Sequence, residues 1–477
     1  MLDFLNDLLW GHVLIYGLIA AGLAFTIASR FVQFRYFGAM FGILRQAFHH
    51  EAGHLSSFQA LMLSVAGRVG AGNIAGVAVA ITLGGPGAVF WMWVIGLIGM
   101  ATSYFECALA QLYKNAEPDG TYRGGPAYYI ERGLGQRWLA GVFSVLLLVT
   151  FGLGFNALQS YTVASSFQDA FTIPTWITGI GLVILLGLII FGGIKRIAAA
   201  AEIIVPVMAT GYILIAAVVV LYNITKVPAA LALIVGSAFG LEEAFAGGMG
   251  AAIAMGVRRG LFSNEAGLGS APNVAAVAYV RHPANQGIVQ AFSVFIDTLI
   301  ICSCTAFMIL LSGIWSPELQ ESSGVALTQS ALADHVGEWG RSFVSIALML
   351  FAFSSMIYNY YLGENSLNFF SEENKTLFNG FRVLTLALVL WGSLQDLTTV
   401  FAFADVTMGL LAVVNLAAVL LLIKVGLRII HDYDAQRRAG IAHPVFDPGK
   451  FADLNIDHKA WALDPAVVPA QARPAAT

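Results

Sequence analysis

Charge is scarce in this chain. Asp, Glu, Lys and Arg together make up only 11% of its 477 residues, against roughly 25% in ordinary soluble domains. That deficit excludes a soluble globular protein. Cysteine is scarcer still, and Cys107, Cys302 and Cys304 all fall in apolar segments, so neither a disulfide framework nor a metal knuckle is indicated. The N-terminus has Asp3 and Asp7 where a signal peptide would place Lys or Arg, and no small-residue cleavage site follows, so a cleavable signal is not expected. What the chain has instead is apolar surface: 58% of its residues are hydrophobic. The composition is that of an all-α polytopic membrane protein, a partner of the lipid bilayer rather than of nucleic acid, with no covalent chemistry and no organic cofactor expected.

Apolar runs of the roughly 20 residues that cross a bilayer fall near 12–34, 58–83, 87–112, 138–165, 174–193, 200–222, 231–255, 286–313, 341–365, 378–394 and 397–424. Eleven spans put the termini on opposite sides. With the N-terminus outside, all but three of the 24 basic residues (Lys226, Arg341 and Arg68) lie in inner loops or the tail, which the positive-inside rule requires. A multi-pass plasma-membrane protein of the bacterial inner membrane, N-terminus out and C-terminus cytoplasmic, is expected. The stretch 314–340, with Glu318, Glu321, Asp334 and Glu338, is long enough to cap the outer face. After His431 the chain turns polar and ends Pro/Ala-rich, a tail with little capacity to fold alone.

One span stops being a helix partway. Between Ser64 and Trp93 lie Gly67, Gly70, Gly72 and Gly76, and each glycine inside a helix costs about 1 kcal/mol relative to Ala. Irregular backbone at membrane depth is tolerated only where it is buried in protein or lines a cavity. The break is therefore predicted at Gly70-Ala71-Gly72-Asn73. After the first span the other ten divide into two sets of five, and the first span of the second set has its own glycine cluster, Gly247-Gly248-Met249-Gly250. Close packing of small residues explains either cluster alone but not the Asn73 beside the first. Paired interruptions in two halves of opposite orientation are the mark of an inverted-repeat secondary transporter. The expected division is an extra helix over 1–34, a first repeat over 35–225, a second over 226–430 and a tail over 431–477. At such a break, half-helix N–H groups suit a carboxylate, and the freed carbonyls suit a hard cation such as Na⁺.

Polar groups elsewhere in the spans fit the same picture. Ser354 and Ser355 are adjacent hydroxyls in an aromatic helix, either bonded to the carbonyl four residues back or available as cation ligands. Asn359 lies one turn beyond Ser355 on the same face. Gln159 stands alone in the fourth span, as a site residue or a helix–helix bond. Ionisable groups inside spans are costly; Arg68, Glu106, Glu202, Glu242, Glu243, Asp297, Glu364 and Asp405 are the candidates. His50-Glu51-Ala52-Gly53-His54 matches the H-E-x-x-H zinc signature. It sits in a short polar loop with a glycine inside and no third ligand in view, so it is read as accidental.

Taken with the blocks GAGNIAGVAVAI (70–81), GGPGAVFWMW (84–93), GMATSYFECALAQLYK (99–114), RGGPAYYI (123–130), RRGLFSNEAGLGSAPN (258–273), FIDTLIICSCTAFMILLSG (295–313) and FAFSS (351–355), the chain resembles the alanine-or-glycine:cation symporter family, the sodium:alanine symporters. The resemblance covers nearly the whole length. It implies a leucine-transporter-type fold, with five-plus-five inverted repeats and two discontinuous helices after one extra helix. It also implies Na⁺-coupled uptake of small neutral amino acids, alanine and glycine first. Na⁺ would be held by Ala66, Val69 and Phe351 carbonyls and the Ser354 and Ser355 hydroxyls. The amino acid would meet Gly70, Ala71, Gly72, Asn73, Gln159, Gly247, Gly248, Gly250, Ser355 and Asn359. Many relatives have Thr where this chain has Ala71, and Trp where it has Asn359. A smaller polar residue at 359 enlarges the pocket, so glutamine or asparagine is an expected further substrate.

Overall fold

The computed structural model describes residues 2–47, 55–118, 120–241, 248–316, 324–371 and 374–461. The HEAGH loop, Glu242, Glu243, Glu318 and Glu321 lie outside them. Backbone polar groups in hydrocarbon must be satisfied within their own segment, so the apolar runs become helices. Among the described residues seven are long and apolar enough to cross a membrane: Phe4–Ala28, Gly87–Leu112, Arg137–Phe171, Gly193–Tyr222, Pro283–Leu310, Trp339–Phe370 and Leu397–Leu421. Ser57–Arg68 and Gly72–Gly84 form a bent pair, the two arms at 49°, that is long and apolar enough to make an eighth if it is one span. Thr175–Ile190 and Val227–Ala238 are apolar but shorter. At 1.5 Å per residue, Thr175–Ile190 reaches only about 24 Å, less than the ~30 Å hydrocarbon core. Among the described residues seven helices, or eight with the bent pair, are thus long and apolar enough to cross, and the expected eleven are not all of spanning length.

Three expectations change. The first span begins at Phe4 rather than near 12 and ends at Ala28, where Arg30 and Phe31 take left-handed φ of 55° and 60° and turn the chain. The glycines 248–250 stand at the start of a described helix rather than inside one. Val227–Ala238 ends before them, and Gly248 opens the next helix, Gly248–Asn264, with Gly248 and Gly250 exposed. Helix is lost instead beyond Asn264, where Glu265, Gly267 and Gly269 take φ of 56°, 96° and 77° ahead of the short helix Ala271–Ala275.

The tail is the third change. Helix Ile423–Arg438 runs on past 431, and residues 441–461 fold back over one end of the bundle, burying Phe446, Phe451 and Trp461. The Trp461 indole donates to the Leu112 carbonyl at 3.2 Å, and Phe446 N–H to Arg281 O at 2.8 Å. Lys114 is enclosed between the rings of Tyr122 and Trp461, at 3.9 and 4.5 Å, and burial lowers its ammonium to about 7. Aromatic packing onto the bundle supplies what the tail's polar composition cannot. Removing a buried Trp costs about 3–5 kcal/mol. Trp461→Ala is therefore expected to speed proteolysis between 440 and 461 at least tenfold, and unchanged cleavage would show that the docking does not depend on this ring.

The apolar flank of Gly193–Tyr222, with Ile203, Val207, Leu214 and Leu221 all more than half exposed, has the composition of a lipid-facing surface. Trp339–Phe370 is the opposite case, buried from Phe351 to Asn368. Ser57–Arg68, the first arm of the bent pair, packs against this helix.

Candidate functional site at the broken helix

Ser57–Arg68 starts on a reciprocal cap: Ser56 Oγ accepts from Gln59 N–H, and Gln59 Oε1 accepts from Ser56 N–H, both at 3.1 Å. It stops at Val69, whose ψ of 90° leaves the helix. The chain resumes as a five-residue π-helix, Gly72–Gly76, before Val77–Gly84. π turns recur at functional sites, and two more, Leu148–Phe155 and Phe295–Cys302, lie in helices that pack around this break.

The break leaves carbonyls without helical donors, and two serines from Trp339–Phe370 meet them. Ser355 Oγ lies 2.9 Å from Ala66 O, 3.3 Å from Gly67 O, 3.4 Å from Val69 O and 3.0 Å from Phe351 O. Ser354 Oγ lies 2.9 Å from Phe351 O and 3.4 Å from Ala66 O. A hydroxyl has one proton, so two serines offer two donors to four carbonyls that each hold two lone pairs. The surplus is all acceptor. Such a set of neutral oxygens suits a hard cation. It contains every residue the sequence named for Na⁺: Ala66, Val69, Phe351, Ser354 and Ser355. Gly67 O is an addition that spacing did not suggest.

On the other side of the break, the N–H groups expected to be open for a carboxylate already have partners. Gly70 N–H donates to Asn73 Oδ1 at 2.9 Å, and Ala71 N–H to Gln159 Oε1 at 3.0 Å. Gly70 must be glycine, because a Cβ there would sit 2.5 Å from Ser355 Oγ and 2.8 Å from Gln159 Nε2. Gly67 is equally constrained, by the Tyr358 ring at 2.3 Å. Gly72 faces Phe262 and Ser263, so the second half reaches the break through the far end of Gly248–Asn264. Gly248 and Gly250 have open space around them among the described residues; Gly247 lies outside the described residues. Asn359 is buried, and neither its Oδ1 nor its Nδ2 has a partner among the described residues.

Spacing alone does not bring several further groups to this place. Asp297 accepts from the Asn73 amide at 2.6 Å and from Ser263 and Thr298 hydroxyls at 2.8 and 2.7 Å. Thr305 Oγ1 donates to Asn73 O at 2.6 Å, and Thr328 Oγ1 to Ile74 O at 3.3 Å; Thr328 belongs to the helix Val325–Val336 within the stretch expected to cap the outer face. The unwound 265–270 segment is held from Gly87–Leu112 by Glu106, whose carboxylate accepts from Gly267 N–H at 3.2 Å and Asn415 Nδ2 at 3.0 Å. A carboxylate inside an apolar run was the available signal for Asp297 and Glu106, but nothing in the sequence gives their partners.

Residues 1–448 match the sodium:alanine symporter family. The chain is 48% identical over 446 residues to an amino-acid carrier protein of Bacillus subtilis, AlsT, covering 94% of each chain. It is equally identical over 443 residues, 92% of this chain and 91% of the other, to a probable sodium/glutamine symporter of the same organism, GlnT. A sodium/proton-dependent alanine carrier from Bacillus sp. is 39% identical over 429 residues, 86% of this chain and 94% of that one. Among solved structures, a manganese transporter from Eremococcus coleocola superposes with a TM-score of 0.52, covers 78% of each chain and is 13% identical, a likeness of fold alone.

Proposed function

We propose that this chain, which belongs to the sodium:alanine symporter family, couples Na⁺ entry to uptake of small neutral amino acids by alternating access. The observation that carries the reading is the Ser355 hydroxyl, one proton among four carbonyls within 3.4 Å. Na⁺ at that point joins the broken helix to Trp339–Phe370, and only that closed arrangement presents Gly70, Ala71, Asn73 and Gln159 to an amino acid. The amino acid's carboxylate replaces the Asn73 and Gln159 oxygens on the Gly70 and Ala71 N–H groups. Each Na⁺ moving inward contributes about 2.3 kcal/mol per 100 mV of membrane potential, and this accumulates substrate only if the two ligands bind cooperatively. The interruptions at 69–71 and 265–270 are the counterparts of one another in an inverted repeat, the N-terminus is outside and the tail cytoplasmic.

Uptake of labelled alanine into proteoliposomes tests the reading. Concentrative uptake is expected with an inward Na⁺ gradient and none without it; equal uptake in both conditions would defeat Na⁺ coupling.

The substrate range includes an amide side chain. Leaving a buried amide unpaired costs about 1–3 kcal/mol, and Asn359 is in that position at both ends. Glutamine or asparagine fills the need, in keeping with the relative named as a glutamine symporter. Replacing Asn359 with Leu is expected to weaken glutamine competition against labelled alanine about tenfold and leave competition by unlabelled alanine nearly intact. Equal loss for both amino acids would make Asn359 a general packing residue.

A further inference from the structure

The folded tail closes a cavity of about 170 Å³ against the end of the bundle. Its other walls are the helix Phe37–Ala47, the start of Pro283–Leu310 and the helix Ile423–Arg438. The polar side of this cavity is basic. Arg281, Arg437 and His443 line it with the Asn285 carboxamide, and among the described residues no Asp or Glu does. Arg437 spends one N–H on Ala442 O at 2.8 Å, while the Arg281 guanidinium has no partner among the described residues. Asp432, on the same helix as Arg437, is already engaged by Lys450 at 2.7 Å, Gln436 at 2.8 Å and His282 at 3.2 Å. Two guanidiniums without a carboxylate between them repel each other, and the group that relieves this is an anion. Arg forks match phosphate oxygens in both geometry and charge.

The cavity is also preformed. Gln436 holds Val445 at both its N–H and its carbonyl, each at 2.9 Å, and Phe446 N–H is bonded to Arg281 O. A ligand therefore has little ordering to impose. At about 30 Å³ per water, there is room for a phosphodiester. A second basic cavity of about 250 Å³ borders the same helix, with Arg30, Arg35, His431 and Arg438 in its wall. That one contains its own carboxylate, Asp434, which Arg35 meets at 2.9 Å. The acid-free cavity is the better anion site.

Its apolar side says where the anion comes from. Gly42 and Ile43 form that wall, and Phe41 beside them is 54% exposed. Phe31 and Phe34, just past the end of the first span, are 51% and 56% exposed. Exposed rings next to a span end and on a short amphipathic helix belong at the membrane interface. Basic pockets between membrane helices at that level take anionic head groups. We propose that this cavity binds the phosphate of an anionic phospholipid, through Arg281, Arg437, His443 and Asn285. Because Arg281 and Asn285 belong to the bundle and His443 to the tail, the bound phosphate ties the two together and favours the docked tail by mass action. This site is independent of the symport reading.

The test uses the purified full chain in neutral detergent, titrated with dioctanoyl phosphatidylglycerol, dioctanoyl phosphatidylcholine or inorganic phosphate. Phosphatidylglycerol is expected to raise the melting temperature saturably and to slow proteolysis between 440 and 461 about threefold, since cleavage follows the population of the undocked tail. Phosphatidylcholine should do neither, and equal effects of the two lipids would overturn the proposal. Inorganic phosphate at the same concentrations should also do neither; if it matches phosphatidylglycerol, the site takes free phosphate and the lipid assignment falls. Arg281→Ala and Arg437→Ala should each raise the half-saturating phosphatidylglycerol concentration about tenfold, the worth of one charge-assisted hydrogen bond. Arg438→Ala removes the same charge from the wall of the other cavity and should leave that concentration within about twofold of wild type. An equal loss in Arg438→Ala would mean attraction to overall charge and no site here. Should Arg437→Ala lose its single peak in size-exclusion chromatography, Arg437→Gln keeps a donor for Ala442 O and is held to the same tenfold expectation; wild-type affinity in it overturns the site.

Discussion

Gly70→Ala is expected to reduce alanine uptake at least a hundredfold while the protein still inserts and purifies. The added Cβ falls 2.5 Å from Ser355 Oγ and 2.8 Å from Gln159 Nε2, distances that Cβ atoms do not adopt, so both side chains must move. Ser355 cannot move without leaving the carbonyls of Ala66, Gly67 and Val69. Gln159 cannot move without releasing Ala71 N–H. Overpacking a filled site costs about 1–3 kcal/mol, which is survivable for folding. For transport the same displacement dismantles the proposed cation and substrate contacts together, and misplacement of about 1 Å can cost a hundredfold where geometry is the function. Gly250→Ala is the matched comparison, since a Cβ there meets nothing within 4 Å. It is expected to transport as wild type does. A dead Gly250→Ala beside an active Gly70→Ala would return the site to the glycine cluster that the sequence proposed.

That contrast shows where the sequence was readable. Gly70–Asn73 stood out because glycines crowd one short apolar run and a carboxamide sits among them, a combination packing does not require. Ser354 and Ser355 stood out as paired hydroxyls in an aromatic helix. In the second half two glycine groups compete, 247–250 and 267–269, and glycine content does not tell them apart. What separates them is tertiary: Glu106 and Asn415, both more than a hundred residues away in the chain, bond the unwound backbone at Gly267. Asp297 was legible as an expensive residue but not as a partner of Asn73, because 224 residues separate them. The tail failed for a similar reason. Its polar composition argued against folding, but three aromatic residues suffice when a prepared surface around Lys114 and Arg281 receives them.

Ser355→Ala should raise the Na⁺ concentration for half-maximal uptake about ten- to a hundredfold, and Ser354→Ala by less. The magnitude follows from the oxygen that is lost. Bonds to a charged partner are worth about 1.5–3 kcal/mol, and each 1.4 kcal/mol is a factor of ten in affinity. The order of the two follows from geometry, since Ser355 Oγ approaches four carbonyls and Ser354 Oγ approaches two. A packing effect predicts something else: removing a small hydroxyl from a buried position should lower thermal stability equally with and without Na⁺. The decisive comparison is therefore the increase in melting temperature on adding Na⁺. Wild type should gain stability in proportion to the logarithm of Na⁺ concentration above its dissociation constant, and Ser355→Ala should show the same rise only at correspondingly higher concentration. Identical curves for the two proteins would remove Ser355 from the cation site and leave it a helix hydroxyl bonded to Phe351 O.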